Sequence, residues 1–435
     1  MSPFVSVEVI EVWAWDRFVG AATLDPAVQA YAFEYAPDWV RTGPSLAPLH
    51  LPNRPGVFSF PALSPTTYQR LPPLLADALP DRFGNALIDA WMAARGIPTS
   101  AVTALDRLAY TADRAMGALE FRPPMVDGPP APTAIELADL VATARRALSG
   151  DLASDADAEA SLEQLIQVGT SAGGARAKAV IAFNPDTYQI RSGQHTAPDG
   201  YEQWLLKLDG VSGDPTRESG LGTGQGFGII EFAYHRMALA AGLQMTECRL
   251  LPEGPRTHFL TRRFDRVGTA GKRHLLSLCG LAHLDFNLAG ANSYEQYLAT
   301  IDQLDLGAEA RAEAFRRTVL NVAAVNRDDH TKNLAFLCDP DGTWELAPAY
   351  DVTFAYNPAG AWTSRHQMTV AGKDDGITRA DLEQLGDRFA VPGYRQEIDR
   401  VLDAVDRWPT FAAEAGVDEQ VADQIGEIHR RFRPT

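Results

Sequence analysis

The sequence predicts an α+β protein of two lobes, a β-rich N-terminal region followed by an α-helical C-terminal lobe. Three observations carry this. Residues 5–24, VSVEVIEVWAWDRFVGAATL, alternate apolar and polar side chains on both sides of Asp16-Arg17, the pattern of a β-hairpin. Residues 123–133, PPMVDGPPAPT, hold too much proline to continue a helix or a central strand and mark a boundary. Beyond residue 267 the apolar spacing becomes helical.

The 435 residues, 46% hydrophobic and 22% charged, suffice for two or three cores. No run approaches the roughly 18 to 20 apolar residues of a membrane span, and the N-terminus lacks a basic stretch before an apolar one, so a cytoplasmic protein is expected. Cys248, Cys279 and Cys338 have neither metal-ligand nor disulfide spacing and read as small buried hydrophobes. A formal charge of -17 argues against unaided binding to nucleic acid, whose phosphates demand Lys and Arg. Only five lysines occur, Lys178, Lys207, Lys272, Lys332 and Lys373. Where Arg supplies general surface charge, a retained Lys points to a need for a compact ammonium, as at a phosphate.

Along the chain, Phe33-Glu34-Tyr35 and residues 57–60 add strands to the first hairpin, residues 71–79 and 82–95 have helical spacing, and 104–121 read as a helix leading to a strand. With the proline-rich break, these define a first domain over 1–125, a second over 134–265 and a third over 266–435. A helix is expected over 134–149. In VGTSAGGARAKAVIAF, residues 168–183, adjacent glycines let backbone N–H groups approach phosphate oxygens, Lys178 adds a point charge, and 179–183 read as a strand. The Walker spacing is absent, and a plain glycine turn is the alternative.

Trp204-Leu205-Leu206-Lys207-Leu208 is an apolar strand interrupted by one lysine, either an edge strand or a strand whose ammonium meets an anion. Glu231, in the helix expected over 230–241, is a candidate partner for Lys207 as well as an ordinary dipole-complementing acid. The glycine-rich stretch 210–228 reads as a mobile loop. Residues 257–266, THFLTRRFDR, read as a strand whose end, Asp265 and Arg266, suits a surface ion-pair ladder. Helices are then expected over 275–289, 294–304, 308–324, 379–385, 392–404, 408–415 and 418–432.

Within this helical part, Asp328 precedes Asn333 by five residues, the offset between base and metal-holding amide in protein-kinase catalytic loops. Hard Mg²⁺ takes oxygen ligands, so a second acid should follow, and Asp351 is the candidate. Strand 334–338, the turn Asp339-Pro340-Asp341-Gly342 and strand 344–346 would return Asp351 to the end where Asn333 lies. Solvated loop acids and a turn cap are the alternative.

Asn326-x-Asp328-x-His330-x-Lys332-Asn333, followed by Tyr350-Asp351, resembles the catalytic segment of the HipA family of bacterial serine/threonine kinases, the toxins of HipBA-type toxin–antitoxin pairs. Ser171-Ala172-Gly173-Gly174-Ala175-Arg176-Ala177-Lys178 is similar to the family's phosphate loop, with Arg176 where Gln is common. Arg263-Phe264-Asp265-Arg266 matches its R-F-D-R signature, and Leu79-Pro80-Asp81 an N-terminal segment. The likeness runs from near residue 6 to near residue 380.

The resemblance implies a bilobal, protein-kinase-like fold using ATP and Mg²⁺. It makes Asp328 the proton acceptor and gives Mg²⁺ to Asn333 and Asp351. ATP falls to Gly173, Gly174, Ala175, Arg176, Ala177, Lys178 and Lys207, to the hinge Arg262, Arg263 and Phe264, and to His330, Thr331, Lys332, Asn333, Tyr350 and Asp351. Ser171 becomes an autophosphorylation site that silences the enzyme. The implied partners are a HipB-like helix-turn-helix antitoxin, DNA only through that antitoxin, and a protein substrate, aminoacyl-tRNA synthetases being family examples. The same machinery would serve a small-molecule kinase, and the fold alone a non-catalytic corepressor.

Overall fold

The computed structural model describes residues 4–125, 137, 139–142, 144, 176–192, 197–212, 221, 226–268 and 270–435. Ser171, Gly173, Gly174 and Ala175 lie outside the described residues, as do most of the glycine-rich stretch and much of the helix expected over 134–149. The chain forms two compact units, each assembled from separated stretches: 1–213, 262–276 and 337–343 in the first, and 214–261, 277–336 and 344–435 in the second.

The first unit opens with the expected hairpin, β1 (Val9–Ala14) and β2 (Arg17–Asp25). Trp15 and Asp16 turn it with φ of 51° and 58°, the left-handed pair that matches strand twist in a two-residue hairpin. Strands β3 (Ala30–Tyr35), β4 (Val57–Phe58) and β5 (Leu119–Arg122) complete an antiparallel sheet in the order β4-β3-β2-β1-β5. Period-two alternation buries Ile10, Val12 and Ala14 on one face. The helix Arg82–Ala94 is capped by Asp81, whose side chain accepts from the Gly84 amide, and Ala104–Thr111 by a reciprocal Thr103–Asp106 capping box. The helix expected over 71–79 shrinks to one turn, Pro73–Ala76, because Pro72 and Pro73 supply no amide hydrogens and Pro80 forbids continuation.

In the same unit, β6 (Arg176–Phe183), β7 (Ile190–Ser192) and β8 (Glu202–Ser212) are antiparallel in the order β7-β6-β8. The sheet reaches further back than the sequence suggested, so Arg176, Ala177 and Lys178 belong to β6 and not to the preceding loop. Phe183 meets Trp204 edge to face at 5.8 Å.

The second unit holds the hairpin of β9 (Cys248–Glu253) and β10 (Arg256–Arg262), whose pairing runs from Arg256↔Glu253 to Thr261↔Cys248. The helix Phe227–Ala240 packs on Trp408–Ala415. There Tyr234 donates its hydroxyl to the Ala324 carbonyl at 2.6 Å and lies 2.7 Å from His429 Nε2. Helices Tyr294–Gln303, Gly307–Ala323, Arg379–Arg388, Tyr394–Asp406 and Glu419–Phe432 fall where apolar spacing placed them. The helix expected over 275–289 is corrected. Residues His274–Ser277 are a strand, and only Leu278–Ala282 is helical, ended by His283 at φ 57°. All three cysteines are buried and free.

Three buried histidines give the fold an acid limit. Burial pushes His235 and His274 down to about 4 and His429 down to about 3, so each is neutral in the folded chain. As pH falls below the ordinary histidine range near ~6.5, the unfolded chain takes up protons that the folded chain refuses, so stability declines from there towards the folded values. The urea midpoint should be clearly lower at pH 5 than at pH 7. A level midpoint across that interval would mean that these imidazoles are charged in the fold.

Candidate active site

Two expected phosphate-binding lysines come together in the first unit. Lys178 on β6 and Lys207 on β8 are direct cross-strand partners, in register with Ala179↔Leu206 and Val180↔Leu205. Facing residues of an antiparallel pair share one side of the sheet with Cβ atoms roughly 5 Å apart, so two ammonium groups are gathered on one face. Both are buried, which rules out the exposed-edge reading of Lys207. Asp209, two residues along β8, is buried as well. Glu231 belongs to the second unit and is buried there on the helix Phe227–Ala240.

The hinge residues have unlike fates. Arg262 is half exposed and pairs with Glu202 at 3.1 Å. The Arg263 amide donates to the Gln203 carbonyl at 2.9 Å, while its guanidinium forks onto Asp265 at 2.9 and 2.6 Å. Asp265 also accepts from Arg266 at 2.7 Å and from the Gly117 amide at 2.6 Å. Strand β10 stops at Arg262, and Asp265 is fully buried, so the expected surface ladder is instead an internal ion network. Burial alone would raise the Asp265 carboxyl, but Arg263 and Arg266 beside it and their hydrogen bonds hold it well below the usual carboxylate range. Burial and the neighbouring Arg263 bring Arg266 down to about 10. Phe264 sits half-buried in the turn.

The second unit carries the residues expected to form the catalytic segment. After the helix Gly307–Ala323 the chain runs through an extended stretch into the short 3-10 turn Thr331–Asn333, then into the strand Ala335–Cys338. The Ala347 amide donates to the Ala335 carbonyl at 3.0 Å, and the Tyr350 hydroxyl to the Lys332 carbonyl at 2.6 Å, so the return strand brings Tyr350-Asp351 back beside 332–333. Asn333 Nδ2 donates to the Asp328 carbonyl at 2.8 Å. Thr331 is buried and donates to the Leu284 carbonyl at 2.8 Å, and Lys332 Nζ lies 5.1 Å from the Phe286 ring centroid. Asp351 adopts φ 52°, a left-handed conformation rare outside glycine, asparagine and aspartate.

His330 stands among these acids. Its ring is 5.4 Å from that of Phe286 and 6.1 Å from that of Trp362, and Nε2 is 3.7 Å from Asp328 Oδ1. Burial lowers its pKa, opposed by the Asp328 and Asp351 carboxylates and reinforced by Lys332. Both acids thus act on the one imidazole.

Adjacent acids take opposite roles. Asp328 keeps its side chain 40% exposed, whereas Asp329 is buried. Asp329 accepts from the Tyr294 hydroxyl at 2.8 Å, from His366 Nδ1 at 2.8 Å and from the Gln367 amide at 2.7 Å. Arg327 behind it donates to the Ser364 carbonyl and to Asp375, with its guanidinium over Tyr356 and Phe432. Burial, followed by the charge of Asp329, pushes the Tyr294 hydroxyl well above its ordinary value, which keeps it a donor. Sequence spacing pointed to none of Tyr294, Asp329, Trp362 or Gln367.

No group of three or more His, Cys, Asp or Glu suited to a metal occurs among the described residues. Asn333 and Asp351 offer an amide oxygen and a carboxylate, a hard donor pair of the kind that shares Mg²⁺ with substrate phosphates. The Nδ2 bond to Asp328 turns the Asn333 amide so that its oxygen points elsewhere. The donor chemistry therefore fits the ion.

The family model described as the HipA-like C-terminal domain matches residues 170–431, and the one described as the HipA N-terminal domain matches residues 10–122. Among solved structures the chain is similar to HipA from the Shewanella oneidensis MR-1 complex of HipA, HipB and operator DNA, with TM-score 0.65, 16% identity and 97% of each chain covered. It also matches the Helicobacter pylori proinflammatory kinase CtkA at TM-score 0.35 and 12% identity, over 54% of this chain and 87% of that one. A comparison with curated protein sequences finds no match. The Shewanella likeness is one of fold.

Proposed function

Because the chain belongs to the HipA family, we propose that it is an ATP-dependent serine/threonine protein kinase and the toxin of a toxin–antitoxin pair. The observation that carries this reading is the cluster around His330: a half-exposed Asp328, braced through its carbonyl by Asn333, with Tyr350-Asp351 brought back beside 332–333. That cluster has the parts a phosphoryl transferase uses, a base and two hard-oxygen ligands. The acceptor hydroxyl oxygen bonds to the γ-phosphorus as the bond to the β,γ-bridging oxygen breaks. ADP leaves, and the hydroxyl proton passes to Asp328. Mg²⁺, held by Asn333 and Asp351, supplies neutralisation of phosphate charge when bound. Lys178 and Lys207 take phosphate oxygens as point charges, and His330, Thr331, Lys332 and Tyr350 line the nucleotide.

In this reading Ser171, Gly173, Gly174 and Ala175 form the phosphate loop, Ser171 is autophosphorylated, and Arg262, Arg263 and Phe264 form the adenine hinge. A cytoplasmic protein, aminoacyl-tRNA synthetases among the candidates, is the acceptor. The Shewanella structure joins HipA to HipB and operator DNA. By that likeness we assign this chain a HipB-like helix-turn-helix antitoxin, with DNA reached only through it, which agrees with a charge of -17. No described helix is long and apolar enough to cross a membrane.

The test is intact-mass analysis of purified protein incubated with ATP, with and without Mg²⁺. The wild type should gain one phosphate, mapped to Ser171, only when Mg²⁺ is present. Asp351→Asn should raise the Mg²⁺ needed for half-maximal rate by on the order of tenfold or more. A protein that neither binds nor consumes ATP would leave the binding-subunit role as its function.

A further inference from the structure

We propose that Trp362 is a positioning residue for phosphoryl transfer, one that fixes which oxygen of Asp328 receives the acceptor's proton. The inference rests on the kinase reading. Trp362 Nε1 donates to Asp328 Oδ1 at 2.5 Å, and Oδ2 has no hydrogen-bond partner among the described residues. An indole N–H is a donor only, so it can hold a carboxylate oxygen but cannot take a proton from a substrate. A carboxylate free to rotate presents either oxygen, at varying angles. With Oδ1 tethered, Oδ2 on the half-exposed side is left as the acceptor, already oriented.

The tether is itself anchored to the loop it controls. The Trp362 carbonyl accepts from Gln367 Nε2 at 2.5 Å, and the Gln367 amide donates to Asp329 Oδ1 at 2.7 Å. Gln367 Nε2 also reaches the Arg327 carbonyl at 3.3 Å, and Arg327 donates to the Ser364 carbonyl. Residues 362–367 thus form a strap whose two ends grip consecutive members of the catalytic segment: Trp362 holds the side chain of Asp328, and His366-Gln367 hold that of Asp329. The indole also lies against the His330 ring, 6.1 Å between centroids and tilted by 60°. A strap serving the fold alone would need only its Asp329 end. The bond to an otherwise half-exposed carboxylate points to a role in the reaction.

The experiment compares wild type, Trp362→Phe and Trp362→3-benzothienylalanine in steady-state transfer with ATP and Mg²⁺. The last keeps the bicyclic shape and places sulfur where the N–H was, so it folds even where phenylalanine leaves a gap. Both variants should lose about 10- to 100-fold in kcat with KM for ATP within about twofold of wild type, since only orientation at the acceptor is disturbed. In an Asp328→Asn background, measured by single-turnover label transfer, Trp362→Phe should cost nothing further, because its effect passes through that acid. An unchanged kcat in the benzothienyl variant, or a loss fully additive with Asp328→Asn, would overturn the proposal. A wild type that transfers no phosphate at all overturns the kinase reading beneath it, and the wild-type control shows which of the two has failed.

Discussion

Asp328→Asn should fold as the wild type does and transfer phosphate about 10²- to 10⁴-fold more slowly, the usual contribution of a positioned general base. Both halves of this expectation come from the geometry. The side chain is 40% exposed, so its replacement disturbs little packing. The bond from Asn333 reaches the backbone carbonyl of residue 328, which the substitution leaves in place, and an asparagine Oδ1 can still accept the Trp362 indole. What is removed is a carboxylate able to take a proton. Thermal melting beside a coupled ADP-release assay checks it. A wild-type rate in the variant would remove Asp328 from the mechanism, and a large drop in melting temperature would recast it as a structural acid.

The neighbouring acid should behave in the opposite way. Asp329→Ala strips the partner from the Tyr294 hydroxyl, His366 Nδ1 and the Gln367 amide at once, all in a buried place. Leaving donors buried and unsatisfied costs about 1–3 kcal/mol each before any relaxation, and breaking a buried charged contact about 3–5 kcal/mol. We expect a loss of about 3–5 kcal/mol in the unfolding of the second unit, read by urea denaturation, with activity falling because the strap over Asp328 comes loose. Asp329→Asn should lie between, since one of its two ends is an NH₂ that cannot accept. If Asp329→Ala unfolded with the wild-type midpoint, the network described around it would not be holding the loop.

How much of this was legible beforehand differs by element. The first hairpin, the long helices from 294 onwards and the return of Asp351 to Asn333 were all readable, because each rests on local periodicity or on a turn with its own chemistry. Residues 71–79 and 275–289 misled for opposite reasons. In the first, apolar spacing hid the cost of paired prolines. In the second, a buried strand and a buried helix are equally apolar and period alone cannot separate them. Asp328 and Asn333 stood out because their spacing is local. The supporting residues, Tyr294, Trp362 and His366, lie more than thirty residues from the acids they touch, and no sequence pattern reports such a contact. Asp265 looked like a surface charge because a strand end usually is one; its burial depends on Gly117, 148 residues earlier.

That separation bears on how the chain is made. The first unit draws on residues 262–276 and 337–343 as well as on the N-terminal stretch. Trp15 donates to the Lys272 carbonyl, His274 Nε2 lies at the Leu46 carbonyl, and Arg273 forks onto Asp339. On a ribosome adding ~5–20 residues each second, the N-terminal sheet emerges roughly ten to forty seconds before the last of these partners exists. It must wait, with the backbone of Gly117 and the floor beneath Leu46 uncovered. The stretch that completes this unit is interleaved with the one that bears Asp328 and Asp351, so neither unit is finished before about four-fifths of the chain has been translated. A chain cut short before residue 343 therefore lacks part of both units.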